Sequence, residues 1–445
     1  MTDDPSALSV AQLAKAYRQK ELRPTDVVEH FLDKINEGPV YRLVTQDRAR
    51  QQARRAEKWF EAGVELGPLQ GVPVALKDLI DTEGNVSAAG SKVLASRAPA
   101  EDDAPVAARL DAAGAVFLGK TNMTELAFSG LGINPHFGTP SCALNKSRIP
   151  GGSSSGSAVA VAKGWASAAI GSDTGGSVRI PASINGIVGL KTTNGLIPKD
   201  KVTPLSTTLD TLGPMTKTLE DAWLVFLALA AKPYQPFKAA CPDKVQFLVP
   251  TNVLTDEADD EVIKSFEQAC EALERAGHHL SYQAVPEFDN MSELYRRYGH
   301  FASHESLALY EDMLLNQGDE VDPRVAKRIL EFKGGLSTDY LRLSYIREQM
   351  VRDFWQDYRA FDAVLCPTLP ILPPTITSLS TDEAYFNANR LCLSITRIFN
   401  YFSGPAVSVP YTEVDNGLSV GIMVATAPHT ENLALSLATL VVEPS

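Results

Sequence analysis

Two clusters of small residues hold the densest chemistry in the sequence: Gly151-Gly152-Ser153-Ser154-Ser155-Gly156-Ser157 and Gly171-Ser172-Asp173-Thr174-Gly175-Gly176-Ser177. Glycines in such runs let the backbone approach a ligand and turn its N–H groups toward it. A serine that ends a Gly-Gly turn has its Oγ beside those N–H groups. Acyl transfer needs that arrangement, a nucleophile next to donors aimed at the developing oxyanion. Two other chemistries match parts of the pattern. A Walker-type phosphate loop ends in Gly-Lys-Ser/Thr, and no lysine follows either cluster. The hydrolase elbow G-x-S-x-G is matched literally by residues 152–156 around Ser154, but it needs a downstream Asp and then a His.

A nucleophilic serine needs a base. Of seven histidines, His278 and His279 follow Gly277 at a helix end, and His429 stands in Ala-Pro-His-Thr. His300 and His304 share a helix face at a spacing compatible with metal, yet no third ligand accompanies them. None has a catalytic setting. A lysine can replace histidine when burial lowers its pKa from ~10.4 toward neutrality. Lys77 closes an apolar strand, and the carboxyl ends of parallel strands gather active sites. Asp78 follows it, but strand alternation sends adjacent side chains to opposite faces. The other reading of Lys77 is a solvated strand end, and spacing leaves the two open.

The elements that must position these residues are legible from periodicity. Near the N-terminus Ser9 and Thr25 are expected helix caps, and Val28, Phe31, Leu32 and Ile35 form an apolar stripe at helical spacing. A charged helix is expected over 45–62. Residues 71–77 alternate as a strand does, and a helix over 104–113 precedes a second strand at 115–118. This βα alternation predicts an α/β fold with a mostly parallel sheet between helices. The stretch 150–195 is rich enough in Gly, Ser and Ala for a linker, but Ile184, Ile187, Val188 and Leu190 argue against one. Within it, 157–170 is expected to be a buried helix. Further strands are expected at 245–249, 363–366, 406–409 and 418–424, with helices over 256–276 and across about 290–360.

Bulk composition narrows the partners. The chain has 445 residues, 44% hydrophobic and 21% charged, the mix of a globular protein. Lys plus Arg number 41 against 54 Asp plus Glu, so the net charge is −13. Such an acidic balance repels phosphate backbones and disfavours a nucleic-acid partner. The five cysteines, Cys142, Cys241, Cys270, Cys366 and Cys392, contain no C-x-x-C pair, which suggests free thiols rather than a disulfide framework or zinc site. The start MTDDPSALSV lacks a signal-peptide pattern, and no run reaches the ~20 apolar residues of a membrane span. A cytoplasmic location without membrane association is the expectation.

The residues resemble the amidase signature enzymes. The resemblance spans nearly the whole chain and is densest over 67–213. It rests on Gly71-Val72-Pro73-Val74-Ala75-Leu76-Lys77-Asp78, Gly119-Lys120-Thr121-Asn122-Met123-Thr124-Glu125, both Gly/Ser clusters, Val178-Arg179-Ile180-Pro181, Gly189-Leu190-Lys191, Cys366-Pro367-Thr368 and Ser403-Gly404-Pro405-Ala406. The resemblance implies a mixed sheet of about eleven strands between helices, in one amidase domain over 1–445. That domain would hold N-terminal helices over 1–65, a signature core over 66–215 and a variable helical cap-like region over about 290–360. It makes Ser177 the nucleophile, Ser153 the bridging serine with a cis peptide bond to Gly152, and Lys77 the base. The N–H groups of Thr174, Gly175, Gly176 and Ser177 would form the oxyanion hole. Asp173 and Arg179 would hold the loop, and Ser154 and Ser155 would hydrogen-bond Lys77. Phe128 and Ser129 match positions that border the acyl pocket in relatives, although ordinary packing explains them equally well. One departure is Gly189-Leu190-Lys191-Thr192-Thr193, where many relatives have Pro for Thr192.

The expected activity is hydrolysis of a carboxamide, extending to esters, anilides and carbamates (urethanes), because the acyl-enzyme chemistry is shared. No metal or other cofactor is expected, and the partner is a small-molecule substrate of a monomer or homodimer. Two alternatives are the A-type subunit of a glutamyl-tRNA amidotransferase and a non-catalytic binding protein on the same fold.

Overall fold

In the computed structural model the described residues are 4–35, 38–414 and 417–442. Eleven strands form one sheet: β1 Tyr41–Val44, β2 Pro73–Lys77, β3 Val116–Thr121, β4 Ala168–Asp173, β5 Val188–Lys191, β6 Thr211–Thr216, β7 Gln246–Pro250, β8 His279–Gln283, β9 Ala363–Pro367, β10 Ala406–Val414 and β11 Leu418–Ala425. Their order is β1-β3-β2-β4-β6-β5-β10-β11-β9-β7-β8.

The sheet is mixed, as expected, but not mostly parallel. Parallel pairing occurs in β3–β2–β4 and in β9–β7–β8. Every pairing from β4 through β6, β5, β10 and β11 to β9 is antiparallel. β10 and β11 follow each other in sequence and pair directly, with no crossover helix to make them parallel. Every residue of β2, β3 and β4 is buried, as strands covered by helices on both faces must be.

Ser9 caps Val10–Arg18 with a full capping box. Thr25 is not a cap: Pro24, with its fixed φ, occupies the first helical position, and Arg23 is the cap residue. The charged helix is Gln46–Glu61. The expected helix over 157–170 is corrected most. A helix runs only Ser155–Ala162, and β4 begins at Ala168. Gly164 at φ +66 ends the helix, with the Trp165 N–H donating to the Ala160 carbonyl. Ala- and Val-rich composition fits a buried helix and a buried strand alike.

The helical stretch resolves into Pro286–Tyr298, Phe301–Gln317, Pro323–Leu330 and Ser337–Asp357. It packs through its own aromatic cluster, where Phe288 lies 5.7 Å from Phe354, 6.2 Å from Phe399 and 5.8 Å from Phe402. All five cysteines are unpaired.

Candidate active site

The sheet brings the two Gly/Ser clusters and Lys77 together. Lys77 ends β2; the second cluster begins in β4, its parallel neighbour. The first cluster leads into the helix Ser155–Ala162, which packs beside β4. The Ser154 N–H donates to the Ser177 carbonyl at 3.3 Å, tying cluster to cluster. The Gly152–Ser153 peptide bond is cis.

Lys77 is fully buried, and its Nζ donates to Ser153 Oγ at 2.7 Å and to Ser172 Oγ at 2.8 Å. Burial pulls its pKa down to about 7, against the opposing pull of Asp210 and Asp173. Asp78 points away, as alternation requires. Its carboxylate is held by Arg42 at 2.9 Å and lies 3.7 Å from Lys120. Ser154 and Ser155 do not bond Lys77. Ser154 Oγ donates to the Ser172 carbonyl at 3.2 Å and Ser155 Oγ to the Asn122 carbonyl at 3.5 Å. Both sit where the chain turns into its helix, so their hydroxyls meet neighbouring backbone instead. Ser172 takes the place expected of them. It lies on the strand paired with β2, a proximity that topology supplies and spacing does not.

Ser177 Oγ has no hydrogen-bond partner among the described residues and faces a cavity of about 570 Å³. Lys77 and Ser153 are therefore joined, while the Ser153–Ser177 contact is open. Hydrogen bonds of this kind commonly tighten only when substrate docks.

The loop before Ser177 is rigidly held. Asp173 Oδ1 accepts from the Gly176 N–H at 2.9 Å, Arg179 Nη2 at 2.9 Å and Asn400 Nδ2 at 2.8 Å, and Oδ2 from the Val178 N–H at 3.1 Å. Burial alone would raise the Asp173 carboxyl, but Arg179 and Asn400 outweigh it and hold it at about 2. Arg179 is itself fully buried and reaches the Thr396 carbonyl at 2.8 Å. Gly176 has φ +131, and a Cβ there would fall 2.2 Å from Thr396 Oγ1, so only glycine fits. The expected donor set loses one member, because the Gly176 N–H is spent on Asp173. The N–H groups of Thr174, Gly175 and Ser177 have no acceptor among the described residues.

Phe128 and Ser129 both line the cavity. The rest of its wall is less legible in sequence: Arg328 from Pro323–Leu330, Asn389 and Arg390 from Asp382–Ser394, and Arg397 from Thr396–Tyr401. His300 also lines it. Burial first, then Arg397, Arg328 and His304, pull its pKa down to about 3, so it is neutral at ordinary pH. His304 contacts the Tyr298 carbonyl at 2.6 Å.

Comparison with known proteins agrees with this architecture. A family model described as Amidase matches residues 26–435. The chain is 33% identical over 441 residues to a 2-amino-5-chloromuconic acid deaminase of Comamonas testosteroni, covering 97% of this chain and 95% of that protein. It is 31% identical to the A-type subunit of the glutamyl-tRNA(Gln) amidotransferase of Thermosynechococcus vestitus, covering 93% of each. A crystal structure of an amidase superposes with TM-score 0.86 at 28% identity, covering 97% of this chain and 98% of the other.

Proposed function

The chain belongs to the Amidase family, hydrolases of amide C–N bonds, and we propose that its acyl-enzyme forms on Ser177 with Ser153 as proton relay and neutral Lys77 as base. The observation that carries this is the 2.7 Å bond from Lys77 to Ser153 on a lysine pulled down to about 7. Lys77 takes the Ser153 proton while Ser153 takes that of Ser177, whose Oγ attacks the carbonyl carbon. The N–H groups of Thr174, Gly175 and Ser177 receive the oxyanion. Collapse breaks the C–N bond, and the proton returns through Ser153 to the departing amine. Water then attacks the acyl carbon, releases the acid and restores Ser177. Asp173 and Arg179 keep the loop in register; Ser154 orders the Ser172 backbone; Phe128 and Ser129 border the acyl group.

The same chemistry extends the reading to small anilides, esters and carbamates, handled by a cytoplasmic monomer or homodimer without cofactor or nucleic acid. The single sheet supports one amidase domain over 1–445. Mass spectrometry after mixing with a slow ester tests the acyl-enzyme. A peptide of the second cluster should carry the acyl mass on Ser177, and acylation of any other residue would overturn the assignment.

A second reading, as the A-type component of an amidotransferase, is favoured by the 31% identity to such a protein. It predicts glutaminase activity only in the presence of a partner chain; ammonia release from simple amides by the isolated chain would reject it.

A further inference from the structure

The cavity in front of Ser177 is more cationic than cleavage of a neutral amide needs. Four basic side chains line it, Lys327, Arg328, Arg390 and Arg397, against one acidic side chain, Glu331, which is exposed. Two of the four are engaged elsewhere: Lys327 lies 4.0 Å from Asp382, and Arg390 contacts Glu257. Arg328 and Arg397 have no carboxylate within ion-pair distance among the described residues. Arg328 lies over the Phe128 ring, 4.1 Å from its centroid, and donates only to the Phe128 carbonyl. Arg397 makes no side-chain hydrogen bond among the described residues, and its Nε is fully buried. A buried guanidinium nitrogen left without an acceptor is costly.

Arg397 is also close to the chemistry. A Cβ on Gly175 would lie 3.8 Å from Arg397 Cβ, and the preceding Thr396 Oγ1 donates to the Gly175 carbonyl at 2.6 Å. His300, neutral beside it, adds no further charge, and Arg397 and Arg328 are among the groups that keep it so.

We propose that the substrate of this site carries a carboxylate in addition to the scissile amide, and that Arg397, aided by Arg328 in the lining of the same cavity, is the group that receives it. Arg397 lines the cavity, and a planar guanidinium takes a carboxylate through two parallel N–H bonds from its terminal nitrogens, which fixes the amide over Ser177. This rests on the amidase reading above and names its substrate class: half-amides of dicarboxylic acids and their relatives.

The test compares kcat/KM for succinic, glutaric and adipic half-amides with isosteric branched alkyl amides. Wild type should prefer the best half-amide by about 10²-fold or more, the scale of a buried charge pair. Arg397→Gln should collapse that ratio toward one, chiefly through KM. Arg397→Lys should keep an intermediate preference, because a point charge remains while the two-pronged contact is lost. Turnover of the alkyl amides with equal or poorer use of the half-amides would overturn the subsite and leave amide hydrolysis standing. If no amide of either kind is turned over, the amidase reading fails, and calorimetry with glutarate still decides the subsite. Binding at least tenfold weaker in Arg397→Gln than in wild type supports it, and equal or absent binding in both overturns it.

Discussion

Lys77 and Lys191 each end a strand of the same sheet, β2 and β5, and neither has any solvent exposure. Burial pulls both down to about 7. Their partners differ. Lys77 bonds two hydroxyls, one of them on the serine that leads toward the cavity; Lys191 donates to the adjacent Thr192 carbonyl at 2.9 Å and sits among Arg179, Asp173 and Glu431. A depressed pKa therefore arises from burial wherever it occurs, but it becomes a catalytic property only where the neutral amine meets a transferable proton. The acceptor of Lys191 has no proton to give.

That contrast can be broken at several points. Ser177→Ala should lower kcat/KM by roughly 10⁴-fold or more with the fold intact, the scale of losing a nucleophile; circular dichroism and turnover together check it. Lys77→Arg should fall nearly as far, on the order of 10³-fold, since a guanidinium keeps its proton at every working pH. In wild type, kcat/KM should rise with pH about a midpoint near 7 as Lys77 deprotonates. A substantially active arginine variant would make Lys77 a mere positive charge.

Ser153→Ala should cost about 10²–10³-fold, and more on amides than on matched esters, because the departing amine needs the returned proton. Equal losses on both would reduce Ser153 to a packing residue. Ser172→Ala should cost only about tenfold. Because its hydroxyl accepts from the lysine ammonium, its loss should move the activity midpoint downward. A midpoint that rises would mean Ser172 favours the neutral amine.

Lys191→Met should have the smallest effect on activity, leaving the midpoint near 7, and should act on stability instead. Below about 7 the folded and unfolded chains both hold the Lys191 proton. Between about 7 and ~10.4 only the unfolded chain does, so stability rises with pH across that window. The methionine variant should show a shallower rise in denaturant midpoint there. An unchanged slope would show that Lys191 is not depressed.

Part of the site is legible in sequence because it is local: the two Gly/Ser clusters, and Ser177 at the end of its Gly-Gly turn, stand out by residue type and spacing, whereas Ser153 is picked out from its neighbours only by the family resemblance. Spacing leaves Lys77 open between a solvated strand end and a base; the resemblance names it the base, and packing against its neighbours is what buries the amine. Ser172 escapes such a reading because its role depends on which strand lies beside β2. Thr396, Asn400, Arg397 and Arg328 escape it because they come from more than 150 residues away in sequence, on helices whose faces only packing defines. The antiparallel centre of the sheet is hidden for a related reason. Strand direction is set by connections, and the alternation of apolar residues is identical in either direction.

The short helix Thr396–Tyr401 carries Thr396 on the Gly175 carbonyl, Asn400 on Asp173 and, between them, Arg397 in the cavity. Its two anchors face the loop before Ser177, and the side chain between them lines the cavity. Such a segment works as a fixed rail with one exchangeable fitting. Selectivity can drift through position 397 while Thr396 and Asn400 keep their hold on the loop, and a library confined to 397 is the economical place to retrain this scaffold for new acyl groups.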